Sequence, residues 1–408
     1  MQKVDFNRYK QAYYKLDFPT IQSQNPEYID ASISDKSKLD FFVWGEGEAC
    51  VVVRKSRAYK FFYVADVVYG PVLDMDNTEL FAKVLSDLDE YYKEELTCIG
   101  IRISPEYPTK IFEGIENPEE IQSGLDNDKV LKNKGFKRAE TRWFEDPAFQ
   151  IDAIYIKDIE GMSYDDWLKS LPSKVRSQIR RVLKDGVKVR PATSADLPAM
   201  REMQEDTSEE TRNAYVNLER YLNWAEKTED VVLFPLAYLD CAEGIKNLDA
   251  EDEASRKQQA KLDKKYSGRE ESSKYVNQTR EIEAALERNT VKRAELNELR
   301  SKYGNEIDLA YSIYVTGNKR LVHLKSSPSP SPELRSYNST MAIHNAMFKY
   351  ACDHEFVYYD FFGAMRYEDN PTEKDLAVLR FKDNFDGNFV YLSGNWYKPY
   401  NFLFNKFK

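Results

Sequence analysis

The sequence predicts an α/β protein of two similar domains, the second interrupted by a long charged helical arm. Three observations carry this. A strand, helix, strand order occurs once before residue 149 and again after it. Between 241 and 304 the composition shifts abruptly to charged residues. The chain has 408 residues, too many for one core when domains run to roughly 100–200 residues.

Residues 39–73 read as a meander: LDFFVW, a glycine turn at GEGE, ACVVVRK, then YKFFYVADVVYGPVL, all rich in β-branched and aromatic side chains. Leu80, Phe81, Val84, Leu85 and Leu88 recur with the spacing of an amphipathic helix over 78–96, and TCIGIRIS follows as a buried strand. DKVLKNKGFKRAE predicts a short helix stopped at Gly135, with a strand beyond it. This is the element order of an acetyltransferase-like (GNAT-type) fold. It assigns 1–148 to a first domain, completed by the carboxy-terminal segment 394–408.

After Pro147 the pattern restarts. FQIDAIYIKDI reads as a strand, DDWLKSL and KVRSQIRRVLKDG as helices, and ADLPAMREMQEDTSEE and AYVNLERYLNWAEK lead to a buried strand, VVLFPLAYL. Beyond the arm, EIDLAYSIYVTGNKRLVHLKSS forms two strands around Thr316-Gly317-Asn318, and the helix STMAIHNAMFKYACDHEF precedes the strand VYYDFFGA. The second GNAT-like domain therefore takes 149–240 and 305–393.

The arm, 241–304, holds 14 Lys or Arg and 13 Asp or Glu, with no Pro, Trp or Phe. Ile282, Leu286, Leu296, Leu299 and Tyr303 keep a helical spacing, and Ser267-Gly268 breaks the run into two helices. An antiparallel helical hairpin is the reading, set against a solvated charged linker, because unstructured loops of this length are uncommon inside domains.

Composition excludes several classes. The four cysteines, Cys50, Cys98, Cys241 and Cys352, and the three histidines, His323, His344 and His354, are scattered without metal or disulfide spacing. A reduced cytoplasm fits, no metal site is expected, and His344 reads as a structural residue on a helix. The net charge of −10 disfavours nonspecific coating of nucleic acid. Neither a signal peptide nor a membrane span is visible, so any membrane role is peripheral. The Walker loop, the GxGxxG fingerprint, the GxSxG elbow and HExxH are all missing.

The strongest constellation is carboxy-terminal. Arg380, Phe381, Lys382 and Phe385 stand beside Asp386-Gly387. A cation held by aromatic neighbours there can bind a phosphate or stabilise a developing oxyanion, or can simply lie on a solvated face.

Tyr359-Asp360-Phe361-Phe362-Gly363, then Leu379 through Gly387, then Ser393-Gly394-Asn395-Trp396 resemble the carboxy-terminal signature of the Fem/Mur (FemABX) family of peptidoglycan-bridge aminoacyltransferases, in its MurM/MurN-like form. Gly70-Pro71-Val72, the helix from Ser173 to Arg181, and Asp206-Thr207-Ser208-Glu209 followed by Leu218-Glu219-Arg220-Tyr221 resemble family segments in the same order. The resemblance implies two acetyltransferase-like domains with a coiled-coil arm. It also implies non-ribosomal transfer of Ala, Ser or Gly from aminoacyl-tRNA to the stem or bridge peptide of a lipid-linked peptidoglycan precursor. No cofactor is implied beyond aminoacyl-tRNA as co-substrate.

On that basis Lys382 is the first candidate for contacting the acyl carbonyl or the terminal tRNA phosphates. Asp360 is the candidate for positioning the amine, against a turn-capping role. Arg212, Arg380, Tyr215 and Tyr359 are expected at the substrate. The basic helix with Lys174, Arg176, Arg180, Arg181 and Lys184 is expected to meet tRNA phosphates or the anionic inner leaflet, or to be a solvated face. The ending NWYKPYNFLFNKFK reads as an interfacial segment or as a packed strand and helix. The expected location is cytoplasmic, peripheral to the inner face of the plasma membrane, with related Fem/Mur proteins as further partners.

Three positions depart from the family pattern. Asp30 stands where some members carry a lysine after Gln22-Ser23, Glu210 where an arginine is usual, and Ser104 where an aspartate precedes Pro105. Two competing functions remain: a diverged immunity or scaffold protein without transferase activity, and an acetyl-CoA-dependent N-acetyltransferase, although the pyrophosphate loop of the latter is not visible.

Overall fold

The computed structural model describes residues 1–140, 149–210 and 216–404. Its strands form two sheets. The first runs in the order Gln2–Val4, Leu39–Trp44, Ala49–Tyr59, Phe62–Val68, Cys98–Ser104, Trp396–Pro399, Lys137–Arg138, with Val72–Leu73 beside Ala49–Tyr59. Within this sheet, among the described residues, only Phe62–Val68 and Cys98–Ser104 pair in parallel. A parallel pair needs a crossover, and the helix Thr78–Glu94 supplies it. Its stripe of Phe81, Val84, Leu85, Leu88 and Tyr92 is buried, and Asn77 caps its first turn by accepting the Leu80 N–H.

The second sheet repeats the plan. Its order is Val187–Pro191, Pro235–Asp240, Glu306–Thr316, Arg320–Pro328, Tyr358–Gly363, Ala153–Asp158, Asn388–Leu392, Pro108–Glu113, Glu116–Glu120, with Val232–Leu233 beside Glu306–Thr316. The parallel pair is Arg320–Pro328 with Tyr358–Gly363, joined through the buried helix Ser339–Asp353. Two α/β units thus use one device, a meander followed by a helical crossover to a parallel neighbour. Among the described residues no helix is long and apolar enough to cross a membrane.

One hairpin departs from the sequence reading, which kept all of 1–148 in the first unit. Residues 108–120 pair with Asn388–Leu392 at the edge of the second sheet. Phe112 is buried there against Phe389, ring centroids 5.7 Å apart, and the Arg366 guanidinium lies 3.8 Å from the Phe112 centroid. The trade is symmetrical, because Trp396–Pro399 pairs with Cys98–Ser104 in the first sheet.

The units also dock through the turn that follows Glu306–Thr316. Asn318 Nδ2 donates to the Phe18 carbonyl at 2.9 Å, Thr20 N–H donates to the Asn318 carbonyl at 3.0 Å, and Asn25 Nδ2 donates to the Thr316 carbonyl at 3.1 Å. The approach is so close that a Cβ on Gly317 would lie 1.6 Å from the Thr20 carbonyl oxygen. Only glycine fits there.

The arm is a helical hairpin of Cys241–Tyr266 and Ser273–Tyr303, with Gly268 at φ +77° between them. Charged pairs cross it: Arg293 reaches Asp249 at 2.9 Å and Asp252 at 2.6 Å. The sequence reading has the whole arm outside the core, and its root differs. Cys241, Leu248, Leu296 and Leu299 are buried within the main core of the second unit. Excising residues 256–286 in favour of a short Gly/Ser linker is therefore expected to preserve a cooperative melt of unchanged midpoint. Excising 241–304 should cost several kcal/mol, since burying one such aliphatic side chain contributes about 1.5–3 kcal/mol. Circular dichroism melting of both variants checks this.

Candidate functional site

The strand Tyr358–Gly363 sits at the centre of the second sheet, with its far end turned toward the first unit. Side chains alternate along a strand, so Tyr359 and Phe361 enter the core while Asp360 and Phe362 face the first unit. Phe362 packs there with Ile21, Tyr69 and Ile154. The ladder to Ala153–Asp158 is regular at Ile156↔Asp360 but reaches Ile154↔Gly363. Phe361 and Phe362 therefore oppose a single residue, forming a β-bulge, a feature over-represented beside active sites. Phe362 adopts φ +58°, an uncommon conformation for a bulky residue that costs of order 1–3 kcal/mol.

Two side chains hold this bulge. Asp360 Oδ1 accepts the Phe362 N–H at 2.6 Å. Lys382 comes from the helix Glu373–Asp383, whose inner face is Leu376, Leu379 and Lys382. Its ammonium donates to the carbonyls of Phe361 at 2.8 Å, Phe362 at 3.3 Å and Gly363 at 2.5 Å. Burial pulls the Lys382 amine down to about 7, while the negative charge of Asp360 opposes the fall.

Asp360 also anchors a buried charge cluster that joins the units. Its Oδ2 accepts from Arg320 Nε at 3.1 Å and Nη2 at 2.9 Å, and Arg320 Nη1 donates to Glu106 at 2.5 Å. The other Glu106 oxygen accepts the Ile21 N–H at 2.8 Å. Arg320 and Asp360 are 5% and 0% exposed, so water contributes little, and the one guanidinium is shared between two carboxylates. Burial pushes the Glu106 carboxyl up to about 7, with Arg320 and the Ile21 N–H pulling it back.

That shift has a sign. The folded value lies above the roughly 4.3 of an unfolded glutamate, so the folded state holds the proton more tightly. The stabilisation is complete below about pH 4 and lost as pH rises through about 7. Glu106→Gln keeps a neutral side chain at every pH. The wild-type melting temperature minus that of Glu106→Gln is expected to fall between about pH 4 and 7; a flat difference would contradict the burial argument.

Behind the bulge lies a second polar group. Tyr359 OH is 2.7 Å from His344 Nδ1 and 2.8 Å from Tyr314 OH, and its ring stacks on Phe348 at 3.7 Å. His323 lies 4.8 Å from His344, centroid to centroid. Burial and the Lys382 charge take His323 down to about 3, and burial, His323 and Lys382 lower His344 well below its usual range. Both imidazoles are neutral packing elements around the Lys382 pocket.

The sequence-predicted residues distribute as follows. Lys382 and Asp360 meet at one bulge. Asp360 has both oxygens engaged and no exposed surface, so it shapes the bulge and pairs with Arg320. Tyr359, expected at the substrate, is a core residue with 0% exposure, because its strand parity turns it away from the interface. Arg380 lies on the open face of the same helix, its guanidinium 3.4 Å from Tyr367 OH. Arg212 and Tyr215 fall outside the described residues.

On the helix Ser173–Lys184, Arg176 donates to the Lys169 carbonyl at 2.9 Å, Arg181 pairs with Asp185 at 3.7 Å, and Lys184 pairs with Glu251. Lys174 and Arg180 are exposed. Of the three departures, Asp30 pairs with Lys36 at 2.6 Å, and Ser104 Oγ donates to Asn395 Oδ1 at 2.7 Å. Ser104 and Asn395 line a small hollow of about 30 Å³ with Asp66, Arg102 and Gln150, where Arg102 grips Asp66 through two bonds of 2.6 and 2.9 Å. Arg320, Glu106 and this Asp66–Arg102 pair are absent from the sequence-derived site. The only signal for them is a charged residue inside or at the mouth of an apolar strand.

The same architecture occurs in known proteins. A family model described as the FemAB family matches residues 24–408. The aminoacyltransferase FemA of Staphylococcus aureus (strain bovine RF122 / ET3-1) is 28% identical over 358 residues, covering 86% of this chain and 83% of that protein, and FemA of strain N315 aligns to the same extent. The crystal structure of FemX superposes with a TM-score of 0.76 at 18% identity, covering 98% of this chain and 97% of that one. The match to the family runs through both sheets, the arm and the Lys382 helix, and the chain belongs to the FemAB family.

Proposed function

We propose that this protein is an aminoacyltransferase that moves Ala, Ser or Gly from aminoacyl-tRNA onto an amine of the stem or bridge peptide of a lipid-linked peptidoglycan precursor. The observation that carries the reading is the family match over residues 24–408, and the name aminoacyltransferase borne by relatives 28% identical to it supports it. The acyl group arrives activated as an ester, so the chemistry calls for no further cofactor. The amine nitrogen attacks the ester carbonyl carbon; the N–C bond forms, the C–O bond to the tRNA ribose breaks, and the amine proton passes to the ribose oxygen.

In this reading the three N–H groups of Lys382 are taken by the carbonyls of residues 361–363, so it acts on the developing oxyanion through its charge, and the bulge that it holds sets where that charge sits. Asp360 acts through the bulge and through Arg320 as a positioning residue. Lys174 and Arg180, exposed on one helix, and Arg380 on another are the described cations best placed for phosphates. Arg212 and Tyr215 keep their proposed place at the acceptor. Incubation with alanyl-, seryl- and glycyl-tRNA carrying labelled amino acids, with a lysine-containing lipid-linked pentapeptide as acceptor, tests the proposal. Label in the precursor from at least one of them is expected; none from any overturns it.

A further inference from the structure

Three connections lie at one end of the first sheet. The turn between Ala49–Tyr59 and Phe62–Val68, the link into Cys98–Ser104, and the segment after Trp396–Pro399 all emerge there, because Tyr63 pairs with Cys98 and Pro399 with Gly100. Each exposes large apolar side chains: Tyr59 at 46%, Phe61 at 67%, Leu96 at 94% and Phe402 at 74%. Their neighbours Ala58, Phe62, Leu403 and Phe404 pack together beneath them with Val64 and Ile99. The Phe404 ring is so firmly seated that a Cβ on Gly100 would lie 2.3 Å from it. The four exposed side chains thus stand over a packed apolar base.

Cations accompany these rings. Lys60 Nζ lies 5.1 Å from the Tyr59 ring centroid, and Arg57 Nε donates to the Lys60 carbonyl at 3.0 Å. Lys93 is exposed beside Leu96, as are Glu94 and Glu95. In a chain of net charge −10 this end gathers three cations among the described residues, Arg57, Lys60 and Lys93, against Glu94 and Glu95.

We propose that this end of the first unit docks on an anionic lipid surface. Separate projecting aromatic and aliphatic side chains with adjoining Lys and Arg suit a fluid interface, where rings sink to the acyl boundary and ammonium groups stay with the phosphates. A rigid protein partner would call instead for a continuous complementary face. The inference deepens the reading of a lipid-linked acceptor. The strand Phe62–Val68 leads from this end to the interface between units, about 20 Å at ~3.3 Å per residue. An extended five-residue stem peptide spans about 17 Å, the same scale.

The experiment is cosedimentation of the full chain with phosphatidylglycerol-containing vesicles and with phosphatidylcholine vesicles, neither containing precursor, so that it stands apart from transferase activity. Wild type is expected to bind the anionic vesicles and to release them in high salt. Phe61→Ser with Phe402→Ser should weaken binding by roughly 100-fold, about tenfold for each ring withdrawn from the interface, with an unchanged melting curve and unchanged label transfer to a water-soluble acceptor peptide. Absent binding by wild type, or equal binding by the double variant, would overturn the proposal. So would a dimer in sedimentation velocity, without vesicles, that the double variant abolishes, since it would assign this surface to a second copy.

Discussion

Lys382→Met is expected to lower the transfer rate by about 100- to 1000-fold if the residue has the role proposed for it, the usual consequence of removing one preorganised oxyanion stabiliser. The side chain is 6% exposed, and a methionine fills nearly the same volume, so the cavity term is small. The ammonium, however, serves three backbone carbonyls at the bulge. Leaving buried acceptors without donors costs about 1–3 kcal/mol each, which exceeds what the apolar replacement returns. A lowered melting temperature should therefore accompany the lost activity. Assaying well below the variant's own midpoint separates the two effects. Near-normal turnover there would remove Lys382 from the chemistry and leave it a clamp on residues 361–363.

Among the single substitutions, Arg320→Met is expected to produce the largest loss of stability. It strands Asp360 and Glu106 without their shared counter-charge, and breaking a buried ion pair on one side typically costs 3–5 kcal/mol. Because Glu106 belongs to the first unit and Asp360 to the second, the loss should appear as a weakened junction as well as a lower midpoint. Denaturant unfolding of the single variants and of Arg320→Met with Glu106→Gln closes a double-mutant cycle. The double variant should recover part of the deficit, because its neutral amide tolerates the missing guanidinium. A single-variant loss under about 1 kcal/mol would mean that water reaches the cluster and screens it.

The sequence made one half of this site legible. Asp360 and Lys382 lie 22 positions apart in one motif, and the strand and helix that carry them have clear periodicity. Their convergence on a bulge follows from local pairing. Glu106 and Arg320 lie 214 positions apart, and no periodicity relates a loop glutamate to an arginine at the start of a distant strand. The hairpin 108–120 was illegible for a similar reason. No alternation marks it as a strand pair, and the Phe112 pocket beside Phe389 decides which sheet receives it. Tyr359 shows the converse: strand parity places it opposite Asp360, so the two could not both face a substrate. The arm's helices follow from their spacing, whereas its root in the main core depends on the Asp185-Gly186 turn, against which Gly244 packs so closely that a Cβ would lie 2.7 Å from the Asp185 carbonyl oxygen.

The most direct test of the central claim is the mass of the lipid-linked precursor after incubation with the pure protein. With charged tRNA present, the stem or bridge peptide should gain the mass of one amino-acid residue, attached through a new amide at the acceptor amine, and the gain should vanish when the tRNA is deacylated. An acetyl mass increment drawn from acetyl-CoA, or an unchanged precursor with all three charged tRNAs, would contradict it.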